Sequence, residues 1–253
     1  MRYRTCLAVL ASMFALPAVS ATVDIRTFQP IADTVIFFDG PTGLATTSAS
    51  NALGENLSVG QDAGGVVRRS LFRFDLSDIA PGSVIESVEL KLFETRSRGE
   101  YDVSLHRVHQ TWGEGTSNGG SAGGTGTATA GDATWLKAVL PGVAWNTPGG
   151  DFESVASATT NVGFAGASYT WSSGQMVDDV QSWVDAPSSN HGWILIGVEN
   201  VIKNPKLFGS AESAVSPILT VQVTPVPEPA AYLMLALGLG VVALCNRRRD
   251  RRV

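Results

Sequence analysis

Three histidines, a pair of arginines four positions apart and a scatter of tryptophans are the side chains of this sequence best suited to chemistry. His106 and His109 sit in or beside a Val-Ser-Leu-His-Arg-Val pattern that reads as strand. A three-residue spacing on a strand sends the two rings to opposite faces, away from a common metal. His191 falls in a turn before an apolar run, where a hydrogen-bonding structural role fits. Arg69 and Arg73 share a strand face, with Lys91 and Arg107 able to extend it into a basic strip. Guanidinium forks grip carboxylates in a bidentate manner, so such a strip suits a uronate. Cross-strand pairing with Asp75 or Glu89 is the structural competitor. Trp112 and Trp145 lie beside Gly-rich stretches, and Trp135, Trp171 and Tyr101 add further rings. A flat apolar face with a polar edge stacks on sugar rings, while core anchoring competes, above all for Trp171, Trp183 and Trp193. The sequence has no Gly-x-Ser-x-Gly elbow and no Gly-x-x-x-x-Gly-Lys-[Ser/Thr] phosphate loop. Carboxylates for glycoside hydrolysis are chosen by separations of about 5 to 9.5 Å, which a sequence does not give. No catalytic residue and no cofactor is therefore assigned. A structural calcium held by loop carboxylates such as Asp33 or Asp39 is compatible with the sequence, and no spacing specifies one.

Those side chains need elements to hold them, and the chain supplies short β runs separated by Gly, Ser, Asn and Asp. Asp33–Phe38 is β-branched and aromatic and closes at Asp39-Gly40-Pro41; Asn56–Gly60 is a shorter run. In Val67–Leu76, Phe72, Phe74 and Leu76 alternate onto one face and Arg69, Leu71, Arg73 and Asp75 onto the other. Ile85–Phe93 places Val88, Leu90 and Leu92 inward and Ser87, Glu89 and Lys91 outward, and Tyr101–Val108 alternates again. From Trp112 to Gly131 the Gly, Ser, Thr and Ala content predicts a mobile surface excursion. One helix is expected, capped by Ser173, with Met176, Val180, Trp183 and Val184 on its apolar face and Asp178, Asp179, Gln181 and Asp185 near the polar one. Pro187 ends it. Gly192–Val198, Lys206–Ser210 and Pro217–Val223 finish the set. The fold class predicted is all-β, a jelly-roll β-sandwich with one short helix.

Both ends read as targeting segments. Arg2 and Arg4 precede an apolar stretch from Cys6 to Leu16, and Val19-Ser20-Ala21 offers signal peptidase a cleavage point between Ala21 and Thr22. The tail, 226–253, runs Pro227-Glu228-Pro229, an apolar segment from Ala230 to Cys245, then Arg247, Arg248, Arg249, Arg251 and Arg252. Sixteen apolar positions reach roughly 24 Å against a hydrocarbon core of about 30 Å, which suits a transient inner-membrane anchor with its arginines on the cytoplasmic side. Both cysteines, Cys6 and Cys245, lie in these ends, so the intervening domain, 22–225, has no disulfide to lean on. That domain retains 11 of the 18 basic residues and 21 of the 23 acidic ones, about −10 in all. Such a balance excludes nucleic acid as a partner class.

The tail resembles the PEP-CTERM sorting signal of Gram-negative bacteria, at Pro227, Glu228, Pro229, the apolar segment and the basic end. That resemblance implies recognition and cleavage by an exosortase and passage to the cell surface or extracellular matrix. Within the domain, Arg69-Ser70-Leu71-Phe72-Arg73-Phe74-Asp75-Leu76-Ser77 resembles the signature strand of DNRLRE domains. Trp112-Gly113-Glu114-Gly115, Trp145 to Phe152, the Trp183-Val184 helix and Ser189 to Trp193 follow in that family's order. The family's name-giving patch is altered here, with Phe208-Gly209-Ser210-Ala211-Glu212-Ser213 in its place. The likeness spans roughly Asp33 to Val223 and implies a jelly-roll, carbohydrate-binding-module-like domain. The expectation is an exported, non-catalytic surface or matrix protein that binds or organises exopolysaccharide, with Arg69, Arg73, Trp112 and Trp145 as candidate sugar contacts. A matrix protein whose partners are other proteins, and a polysaccharide lyase or glycosidase, are the alternatives.

Overall fold

Alternation of apolar and polar residues along the strands sets the layering. In β5 (Val66–Phe74), Phe72 and Phe74 enter one core while Val67 and Leu71 enter another. In β6 (Val84–Arg96), Val88, Leu90 and Leu92 are buried between exposed Glu89 and Lys91. The computed structural model describes residues 22–39 and 48–225. The signal segment to Ala21, the turn expected at Gly40-Pro41 and the tail from Val226 lie outside the described residues. Among the described residues no helix is long and apolar enough to cross a membrane.

The domain is all-β with one α-helix. The remaining strands are β1 (Asp24–Phe28), β2 (Pro30–Asp39), β3 (Ala49–Asn51), β4 (Asn56–Gln61), β7 (Tyr101–Arg107), β8 (Gly126–Thr127), β9 (Lys137–Val139), β10 (Val143–Ala144), β11 (Ala158–Val162), β12 (Ser168–Trp171), β13 (Trp193–Ile196), β14 (Lys206–Gly209) and β15 (Ile218–Thr224). Thirteen strands make one antiparallel sheet along the path β1-β15-β6-β14-β4-β5-β13-β7-β11, with β12 added on β6, β2 on β5, and β3 joining β2 to β8. β9 and β10 form a separate pair. The sheet folds back over itself. Trp171, in the arm built on β6, donates its indole N–H to the Val103 carbonyl of β7 in the opposite arm at 2.9 Å. Between the arms Leu90, Leu219 and Val221 meet Phe72, Phe74, Leu105 and Trp193.

The helix α1 (Gly174–Asp185) starts where expected. The Ser173 hydroxyl accepts from the Met176 amide at 3.0 Å, and Met176, Val180, Trp183 and Val184 are buried. One residue departs from the expected polar face. Asp179 is buried, because its carboxylate accepts from Ser157 Oγ at 2.6 Å and from Trp193 Nε1 at 2.8 Å. A buried carboxylate of this kind is tolerated only when donors are aimed at it.

The segment expected to project as a mobile excursion, Trp112 to Gly131, is anchored at its first residue and followed by residues that are built in. Trp112, Ala133, Trp135, Ala138 and Trp145 form a second core with Ala32, Ile36, Val67, Leu71 and Ile194, covering the outer face of β2, β5 and β13. Asp132 closes the Gly-rich part, accepting from Ser117 N at 3.2 Å, Ser117 Oγ at 3.1 Å and Thr129 Oγ1 at 3.0 Å. Glycine content had pointed to a mobile surface excursion, but Trp112 and Trp135 on either side of the glycines are buried and hold the ends of the stretch.

A buried charge pair stands where β14 meets β6. Lys206 Nζ donates to Ser97 Oγ at 2.6 Å, to Gly163 O at 3.0 Å and to Gly99 O, with Glu94 Oε1 at 3.6 Å. Burial lowers the lysine pKa and raises that of Glu94, each opposed by the partner's charge.

Candidate functional site

The four side chains expected to contact sugar are brought to one side of the sheet and then treated very differently. Trp112 and Trp145 are 3% and 5% exposed. Trp112 Nε1 donates to the His191 carbonyl at 2.8 Å and Trp145 Nε1 to that of Thr134 at 2.9 Å. Their rings serve the second core, so the open faces that Gly-rich neighbours suggested are absent.

Arg69 is likewise committed. Its guanidinium makes two bonds to Glu199, at 2.6 and 2.8 Å, and a third to Gly149 O at 2.8 Å. It lies over Trp135 at 4.5 Å. The partner is thus neither Asp75 nor Glu89, the sequence neighbours considered for it. Gly149 makes this possible: its φ is 90°, and a Cβ there would stand 2.5 Å from Arg69 Nη1 and 2.7 Å from the Trp135 ring. The surrounding turn is fixed by Asp151, which accepts from the Asn146 and Thr147 amides at 2.8 Å each. The Trp145–Phe152 stretch is therefore a mould for Arg69 rather than a loose loop.

Arg73 is the exception. It lies 5.7 Å over Trp112 and has no ion-pair partner among the described residues. Beside it opens a pocket of about 350 Å³ between the end of β5 and α1. Phe74, Leu76, Ile79, Trp183 and Pro187 give it an apolar floor; Asp75, Ser77 and Asn190 stand with Arg73 as its polar groups. Asn190 is held by its bond to Phe74 O at 2.9 Å. An apolar floor with a few fixed polar groups is the usual make-up of a small-molecule site. The sequence named Arg73 but not this pocket, since α1 and the 187–190 turn reach it only through the tertiary fold.

On the other side of Arg73 the fold gathers acids that the sequence kept apart. Asp33, Glu114 and Glu212 place carboxylate oxygens within 4.8 Å of one another. Asp33 Oδ2 accepts from the Ala211 amide at 2.7 Å, and the Asp33 amide donates to Glu114 Oε1 at 2.9 Å. Burial, then the charge of Glu212, holds the Asp33 carboxyl well above its ordinary range. Glu114 is also raised by burial, and Arg73 pulls it the other way. Of the two acids considered for calcium, Asp33 has acquired oxygen neighbours suited to a hard cation. Asp33 is only 1% exposed. A polymer could not reach it, and it is no candidate for glycoside cleavage.

The histidines are structural in their surroundings. His106 bonds Glu153 O and Ser104 Oγ, both at 2.9 Å, and burial lowers its pKa. His191 Nδ1 lies 3.2 Å from Thr111 Oγ1. His109 Nε2 lies 3.6 Å from Glu153 Oε2.

A comparison with curated proteins finds no match. The carboxyl-terminal segment, residues 225–249, matches the PEP-CTERM protein-sorting motif, which implies an exported protein handled by an exosortase.

Proposed function

We propose that the exported domain is a non-catalytic polysaccharide-binding module of the cell surface or matrix. The observation that carries this reading is the Arg73 pocket, where a guanidinium with no ion pair among the described residues stands beside an apolar floor. A volume of about 350 Å³ admits one or two sugar rings. Ile31, Pro81 and Pro187, exposed in the lining, supply apolar surface for ring C–H groups, and Arg73 supplies a fork for a uronate carboxylate. On this reading the folded-over sheet is the jelly roll of a DNRLRE-type domain. Arg69, Trp112 and Trp145 contribute by shaping the wall behind Arg73 rather than by touching sugar.

The test is binding of short oligogalacturonides and neutral oligosaccharides to the full chain in detergent micelles, followed by tryptophan fluorescence, with and without calcium. Oligogalacturonides should perturb the fluorescence, and Arg73→Ala should weaken that response at least tenfold. A response unchanged in Arg73→Ala would move the site elsewhere. No response to any saccharide, together with assembly into a protein layer, would favour a purely structural matrix component.

A further inference from the structure

A second recess, which shares no lining residue with the Arg73 pocket, concentrates positive charge in a domain that is acidic overall. Its volume is about 440 Å³, and its lining includes Arg68, Arg96, Arg98 and Lys203 but only one acid, Asp62. That acid is fully spent. Asp62 Oδ1 accepts from the Gly64 and Val66 amides at 2.8 and 3.0 Å, and Oδ2 bonds Arg68 Nη2 at 2.7 Å. Arg68 and Asp62 thus neutralise each other, and Arg68 keeps a buried Nε with no hydrogen-bond partner. The other three cations are exposed and have no ion-pair partner among the described residues.

The backbone that carries one of these cations is also fixed. Lys203 has a left-handed backbone, φ 65°, unusual for a residue with a side chain. Its amide donates to Asp62 O at 3.3 Å and the next amide, of Asn204, to Gln61 O at 3.0 Å, which seats the lysine on the β4–β5 hairpin. The opposite wall is the Gly-rich loop at Gly123, φ 68°, where a Cβ would come within 2.9 Å of Leu207. Arg96 and Arg98 arrive from the end of β6. Like charges drawn together without acids repel one another, and an anionic ligand relieves that repulsion.

We infer that this basic groove binds the repeated anionic groups of an acidic polysaccharide chain, as a site separate from the Arg73 pocket. A polymer fits better than a membrane surface because the recess is concave and its largest apolar member, Leu207, is buried. The inference goes beyond the proposed function and stands or falls on different residues.

The experiment measures retention of the full chain in detergent micelles on immobilised polygalacturonate, dextran sulfate and uncharged dextran, across a salt series. Wild-type protein should bind the two charged polymers, with affinity falling as salt rises. The triple variant Arg96→Glu, Arg98→Glu, Lys203→Glu should lose at least tenfold on the polymers while its response to short oligogalacturonides is unchanged. Arg73→Ala should show the reverse pattern. Arg96→Lys with Arg98→Lys should bind within a few-fold of wild type, which separates charge from misfolding. Polymer retention unaltered by charge reversal, equal retention on dextran, or tighter binding to phosphatidylglycerol vesicles than to either polymer would overturn the inference.

Discussion

The two apolar cores of this domain were made by different kinds of sequence. The first lies between the arms of the folded sheet and is filled by strand residues at alternate positions, with α1 closing one side. The second lies on the outer face of β2, β5 and β13 and is filled by tryptophans from a glycine-rich, largely irregular segment. Regular elements bury what their periodicity exposes. An irregular cover buries whatever its few large side chains can reach, and it can therefore shape a binding surface without disturbing the sheet beneath.

The sharpest way to break this contrast is to remove one indole from each core. Trp193→Ala in the first should cost about 4 kcal/mol, through the cavity and the loss of a donor to Asp179. A melting curve that stays within a few degrees of wild type would refute a unitary first core. Trp112→Ala in the second should cost less in the global transition, about 3 kcal/mol at most. It should open the Gly119–Gly124 stretch locally, read as early hydrogen exchange and proteolytic nicking there while β6 and β15 stay protected. Simultaneous loss of protection in both cores would merge them into one cooperative unit.

The two arginines on the outer face of β5 sharpen the comparison at the scale of single side chains. Arg69→Ala should cost about 2 kcal/mol, since it leaves Glu199 and Gly149 O without their donor. Arg73→Ala should change stability by less than about 0.5 kcal/mol while reducing saccharide binding. Chemical denaturation of the two variants side by side checks the difference. A large stability loss in Arg73→Ala would make it another structural clamp.

The last effect concerns acidity behind Arg73. The folded-state pKa of Asp33 is raised, so between its ordinary value of 3.8 and that raised value the folded chain holds a proton the unfolded chain has released. Stability contributed by this group is present at low pH and is lost as pH rises through the folded pKa, by at most about 1.4 kcal/mol per pH unit. Asp33→Asn should remove that fall. Subtracting the stability–pH profiles of variant and wild type isolates it from other carboxylates, and superimposable profiles would show that Asp33 titrates normally.

How much of this was legible in the sequence follows the same division. Phe72, Phe74 and Leu76, or Val88, Leu90 and Leu92, declare their faces through a period of two, and Ser173 declares the start of α1 through its cap. Those signals are local. Asp179 looked like a surface residue because its donors, Ser157 and Trp193, lie elsewhere in the chain. The glycines between Trp112 and Gly131 suggested a mobile excursion because the sheet face that the flanking Trp112 and Trp135 cover is supplied by β2, β5 and β13. Arg73 could be named from strand pattern, but the pocket at its side depends on α1, and the acid cluster and basic groove each draw on distant segments. Long-range partners decide these features, and composition carries no record of them.

The buried ammonium of Lys206 gives the domain an internal clock for unfolding. The chain has four lysines, at 91, 137, 203 and 206. Lys91 and Lys203 are open to solvent and Lys137 partly so, whereas Lys206 is 1% exposed and spends its protons on Ser97, Gly99 and Gly163. An amine-acylating reagent needs access, and Lys206 offers none while the fold is intact. Its modification should trail that of Lys91 and Lys203 by orders of magnitude and advance only as fast as the whole domain opens, so peptide mapping at that residue would time global opening in the exported protein without any added label.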